Sequence, residues 1–124
     1  MKKKEIVDAL FSKGKSFAVF PYRVYYLWLD PALVNGTGSP VLFGCGVGKK
    51  HFKKAVDRNR IKRLTREAYR TQKHELLAAM ATRGGQLAVF FIFTGKELPL
   101  LADCVQTVGR TLQRLTQMVK ERHA

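Results

Sequence analysis

Apolar residues in KKEIVDALFSK recur at three- and four-residue steps through Ile6, Val7, Leu10 and Phe11, which predicts a helix over residues 3–13. Gly14 stands where a helix stop is expected. FAVFPYRVYYLWLD follows, rich in aromatic and β-branched residues, and predicts one long strand over 17–30. Pro21 has no N–H for a ladder and marks an edge or a break within it. Sorted by parity, Phe20, Tyr22, Val24, Tyr26 and Trp28 form the heavier apolar set, the expected core side. Arg23 and Tyr25 share the other face, a cation beside an aromatic where the sheet can stay open.

PALVNGTGSP, 31–40, is dense in turn residues and reads as a loop. VLFGCGV, 41–47, is a second strand, weakened or closely approached at Gly44 and Gly46. GKKHFKKA, 48–55, is a basic connector into a helix that is expected to continue through HELLAAM and end before Arg83. LAVFFIFT, 87–94, is apolar on both parities, as for a strand covered on both faces. From Pro99 onward Leu101, Cys104, Val105, Val108, Leu112, Leu115 and Val119 form a continuous helical stripe, with Gly109 a possible bend. The expected order is helix, strand, strand, helix, strand, helix. No internal repeat or low-complexity tract interrupts it, so one domain over 1–124 is expected.

The fourth of these elements carries the chemistry. In AVDRNRIKRLTREAYR, 55–70, an advance of ~100° per residue gathers Arg58, Asn59, Lys62, Arg63, Arg66 and Arg70 into an arc of roughly 140°, with Arg60 at its edge. Val56, Ile61, Leu64 and Ala68 make the apolar flank. Ordinary solvated helices intersperse opposite charges at i and i+4, whereas here Arg58, Lys62 and Arg66 repeat one sign at that spacing. Phosphates would turn that repulsion into attraction, and Arg has the fork geometry to grip them. Asn59, a poor interior helix former, can bond the local backbone or read a sugar hydroxyl or base edge.

Charge over the whole chain supports a polyanionic partner. The 124 residues hold 23 Lys and Arg against 9 Asp and Glu, a formal net charge of +14. Between Lys49 and Arg70, ten basic residues face only Asp57 and Glu67, a net +8. Nucleic acid fits better than a membrane surface, because no amphipathic helix joins a basic face to exposed Trp, Phe and Leu. No apolar run approaches the ~18 residues of a membrane span. MKKKEIVDALF lacks the apolar segment and cleavage site of an export signal, so a cytoplasmic location is expected. Cys45 and Cys104 have no metal-ligand spacing and read as small buried hydrophobes, with a disulfide the alternative.

AVDRNRIKRLTREAYR, preceded by GVGKK, resembles the signature of the protein component of bacterial ribonuclease P: paired lysines, then Ala-Val-x-Arg-Asn-Arg-x-Lys-Arg-x-x-Arg-Glu. The likeness extends more loosely back through LFSKGKSF and forward through LAVFFIF to VGRTLQRL. It implies an α/β (α+β two-layer) fold like the second domain of ribosomal protein S5. That fold has a small central sheet and places the basic helix in a left-handed βαβ crossover, against the usual right-handed expectation. It further implies a subunit that binds a catalytic RNA and the 5′ leader of precursor tRNA, with Mg²⁺ bound mainly by the RNA and the protein monomeric in a 1:1 complex.

Carried over by position, the RNA-binding candidates are Lys49, Lys50, Arg58, Asn59, Arg60, Lys62, Arg63 and Arg66; Lys53 and Arg70 join them from the charge pattern. Phe11 and Tyr25 match the family's leader-cleft aromatics, which agrees with the open face read for Tyr25 and Arg23. Three positions depart from the pattern. Val7 stands in the cleft set where the family often has an aromatic, and Gly46 and Gly48 replace small hydroxyl residues. Two other functions compete. A self-sufficient nuclease would need a carboxylate cluster or a paired His, and nine scattered acids with His51, His74 and His123 supply neither. A structural RNA binder of ribosomal type would share the charge and fold but not the signature or the aromatic cleft.

Overall fold

The computed structural model describes residues 3–29, 40–83 and 85–123. Helix α1 spans Lys3–Lys13 and stops at Gly14, whose N–H bonds the carbonyls of Ala9 and Leu10. The long strand expected over 17–30 is two strands, β1 (Lys15–Val19) and β2 (Tyr22–Leu29), folded into an antiparallel hairpin about Phe20–Pro21. The break allowed by Pro21 is therefore what occurs. The Pro21 carbonyl accepts bonds from the Thr94 N–H at 2.8 Å and its hydroxyl at 3.1 Å, pinning the turn to the chain at Thr94. Phe20, expected on the core side, sits in that turn and is 80% exposed. Tyr22 and Val24 keep their expected place in the core, with Tyr26 and Trp28 packed at its edge.

The expected loop over 31–40 lies, apart from Pro40, outside the described residues. Strand β3 (Val41–Val47) pairs in parallel with β4 (Gln86–Phe93), and β4 pairs antiparallel with β2. The sheet order is β1-β2-β4-β3. The most apolar strand thus takes an interior position, as its pattern on both parities requires.

Two helices, not one, make the crossover from β3 to β4: α2 (Ala55–Arg70) and α3 (His74–Arg83). Side chains that compete for the helix carbonyls cause the break. The Gln72 N–H turns to the Tyr69 carbonyl, leaving that of Ala68 to the Gln72 side-chain amide at 2.9 Å. The same amide nitrogen reaches the Val105 carbonyl of the last helix, α4 (Leu101–His123), also at 2.9 Å. A Cβ on Gly109 would stand 2.5 Å from the Gln72 side-chain oxygen, so this glycine makes room for the clamp, and α4 runs on through it.

Helices α2, α3 and α4 bury one face of the sheet. Ile61, Leu76, Met80, Leu115 and Val119 meet Val24, Val89 and Phe91, all almost fully buried. Each such side chain contributes roughly 1.5–3 kcal/mol on burial. Tyr69 stacks on Phe43 at 4.0 Å, and the buried Tyr22 hydroxyl lies 2.7 Å from Thr65 Oγ1. Cys104 is buried and Cys45 half-buried, and neither is in a disulfide. Helix α1 packs against β2 and β4, tucking in Leu10.

Candidate nucleic-acid interface

Helix α2 is anchored by Ile61, Thr65, Ala68 and Tyr69, all buried, with Leu64 half-buried against the same core. Val56, expected on this flank, is 76% exposed. It lies in the first turn, and Phe52 of the connector fills that end of the core instead, its ring 5.9 Å from Phe93. Thr65 and Tyr69 extend the buried side beyond the residues the periodicity suggested, Thr65 by returning its hydroxyl to the Ile61 carbonyl.

With that side fixed, Asn59, Arg60, Arg63, Arg66 and Arg70 are exposed and Lys62 is half-buried. Lys49 and Lys50 stand exposed in the turn after β3, and Lys53 is exposed in the connector. Two of the arginines have internal partners. Nη1 of Arg58 donates to the carbonyls of Phe52 and Lys53, 2.8 Å each, fastening the connector to the helix it precedes. Arg70 grips Glu67 through two hydrogen bonds, 2.6 and 3.1 Å, and this contact holds the Glu67 carboxyl below its usual range. It is the one ion pair among the described residues. The other cations of the arc keep their charge free for an external anion.

The opposite sheet face holds the second half of the site. The strand registers set Ser16, Tyr25, Phe90 and Gly44 side by side across the four strands. Gly44 and Gly46 leave a trough in β3, and the Phe90 ring lies over it: a Cβ on Gly44 would come within 2.7 Å of that ring, one on Gly46 within 3.3 Å. Phe11 reaches down from α1, edge-on to Tyr25 at 4.8 Å and to Phe90 at 5.6 Å. It remains 47% exposed. Arg23 is exposed two residues from Tyr25, with Nη1 3.3 Å from Ser16 Oγ. Phe11, Tyr25 and Arg23 are thus brought together. Val7 lies in α1, but its side chain is outside the described residues. A Cβ on Gly48 would meet open space.

Phe90 and Ser16 escaped the sequence reading. Phe90 alternates with the core residue Phe91, and it faces two glycines on the neighbouring strand only once β3 and β4 have paired.

No group of three or more His, Cys, Asp and Glu among the described residues could hold a metal ion. No helix among them is long and apolar enough to cross a membrane.

The architecture is that of a small α/β protein with a cationic helix on one side of its sheet and an aromatic cleft on the other. The family model for ribonuclease P matches residues 1–116. The ribonuclease P protein component of Porphyromonas gingivalis is 37% identical over 108 residues, covering 87% of this chain and 73% of that protein. That of Chlorobaculum tepidum is 40% identical over 121 residues, covering 94% and 75%. Among solved structures, the Thermotoga maritima protein superposes with a TM-score of 0.68 at 20% identity, covering 92% of this chain and 94% of that one. The Staphylococcus aureus protein gives 0.65 at 21%, covering 92% of each. The chain belongs to the bacterial ribonuclease P protein family. Its role is accessory: it assists the RNA-catalysed removal of the 5′ leader from precursor tRNA.

Proposed function

We propose that the two faces of the sheet divide this work. On the helix side, Arg60, Lys62, Arg63 and Arg66, with Lys49, Lys50 and Lys53, neutralise phosphates of the catalytic RNA, and Asn59 adds a polar contact among them. Arg58 serves by holding the connector that presents the lysines. Arg70 joins the same face with its charge shared by Glu67. On the other side, Phe11, Tyr25 and Phe90 stack bases of the 5′ leader while Arg23 follows its backbone, as aromatic and cationic side chains do for single strands. Val7, at a position where the family often has an aromatic, supplies no ring for this stacking.

The supporting observation is the contrast along α2. Four cations of one sign project from a helix whose other side is locked in the core, and no described acid pairs with them. Free cations in that array repel one another; RNA removes the repulsion.

The Mg²⁺ ions of the reaction sit mainly on the RNA subunit, in keeping with the scattered carboxylates. The protein acts in the cytoplasm as a single domain and a monomer, one copy per RNA. Reconstitution tests the assignment: adding the protein to catalytic RNA at low Mg²⁺ should restore cleavage of precursor tRNA. Protein freed of RNA should cleave nothing. Absence of stimulation would leave only a structural RNA binder, and metal-dependent cleavage by the protein alone would point to a nuclease.

A further inference from the structure

The helix-covered face of the sheet has an edge that the two-face division leaves unused. Strand β1 is short and lies outermost, and α2 and α3 stand over the opposite end of the sheet, against β3. Lys15 and Phe17 of β1 share one face with Tyr26 and Trp28 of β2, since Lys15 pairs directly with Tyr26. Their rings form a ladder, with Phe17 5.8 Å from Tyr26 and Tyr26 6.4 Å from Trp28. Arg114, exposed on α4, lays its guanidinium over the Phe17 ring at 4.2 Å. The three aromatics are half-buried, and both cations are exposed.

From this juxtaposition we infer that the Phe17–Tyr26–Trp28 ladder, flanked by Lys15 and Arg114, is a second contact surface for unpaired RNA, separate from the leader cleft. Its chemistry is that of single-strand recognition, in which rings and a guanidinium plane offer stacking surfaces while cations follow the phosphates. Charge complementarity favours a polyanion: no described acid pairs with either cation, and the chain carries +14. The occupant is an unpaired segment of the catalytic RNA. The ladder lies on the side of the sheet where α2 stands, whereas a leader held by Phe11 and Tyr25 runs along the other side. This choice of occupant rests on the reading of α2 as the catalytic-RNA face.

Trp28 is the only tryptophan in the chain, so its fluorescence reports this surface directly. Short oligouridylate should quench it in the full-length protein, less so as salt rises. The double variant Lys15→Glu, Arg114→Glu should need at least tenfold more oligonucleotide, while Tyr25→Ala and the pair Arg63→Ala, Arg66→Ala should quench as the parent does. Both altered side chains in the double variant are exposed, and an unchanged melting curve verifies its fold. No quenching, or quenching lost in Tyr25→Ala and kept in the double variant, overturns the second surface. With catalytic RNA alone, the double variant should bind about tenfold more weakly; unchanged affinity overturns the proposed occupant. Should Arg63→Ala, Arg66→Ala leave catalytic-RNA affinity intact, the reading of α2 fails, and the quenching experiment still decides the ladder.

Discussion

The Phe90 ring lies in the space that a side chain on Gly44 would occupy, 2.7 Å from where its Cβ would stand. The two residues face each other on neighbouring strands, so the missing side chain of one is the floor for the other. Gly44→Ala should therefore push the ring toward Phe11 and close the cleft. Overpacking of this kind costs ~1–3 kcal/mol. Denaturant melts should show that loss, and affinity for precursor tRNA should fall while affinity for the catalytic RNA holds.

Tyr25 stands between Phe90 and Ser16 in the same row, with the centre of the Phe11 ring 4.8 Å from that of its own. Replacing it by Ala removes one stacking platform, worth ~1–3 kcal/mol per base. Binding of the holoenzyme to leader-bearing substrate should weaken by that amount, and binding to mature tRNA should not change. An equal loss on both substrates would remove Tyr25 from the leader path.

Arg63 and Arg66 are exposed on the side of α2 away from the core. With ~6 phosphate contacts, affinity for the catalytic RNA should fall on the order of 10³-fold between 50 and 200 mM salt. Each Arg→Ala change should lower the salt slope by about one contact. Filter binding across a salt series measures this directly, and a salt-insensitive complex contradicts the cationic face.

How far such features could be read from sequence depended on the range of the interaction. Helical spacing located α1, which tucks in Leu10, and α4, which buries a stripe set by its own periodicity. The basic arc on α2 was visible for the same reason. The split at Thr71–Lys73 was not, since it depends on a Gln72 amide bonded to Val105, 33 residues away. Phe20 was misplaced because parity was carried through Pro21, where the chain reverses and alternation starts afresh. Phe90 was invisible as a cleft residue because its counterpart, Gly44, becomes a neighbour only when β3 and β4 pair.

Arg58 shows how one residue type divides between two tasks. Its Nη1 binds two carbonyls of the connector, whereas Arg63, five residues along the same helix, binds no described acid. Hydrogen bonds from a charged donor contribute ~1.5–3 kcal/mol. Arg58→Ala should lose stability on that order by thermal or urea unfolding, and Arg63→Ala should melt near the parent. If both melt alike, the connector is not held by Arg58.

Two buried phenols give the fold an upper pH limit. Burial pushes the Tyr69 hydroxyl up to about 12, and burial with the Cys104 contact raises Tyr22 further. Unfolded, both ionise near ~10. Between pH 10 and 12 the unfolded chain releases protons that the folded chain retains, so stability should be complete below pH 10 and decline as pH rises through that window. Tyr69→Phe keeps the ring stacked on Phe43 and removes the ionising group. Its alkaline decline should be smaller than the parent's, by on the order of 2 kcal/mol at pH 12. Urea unfolding at pH 8, 10 and 11.5 distinguishes the cases, and identical curves for parent and variant at all three values would show that Tyr69 ionises as freely folded as unfolded.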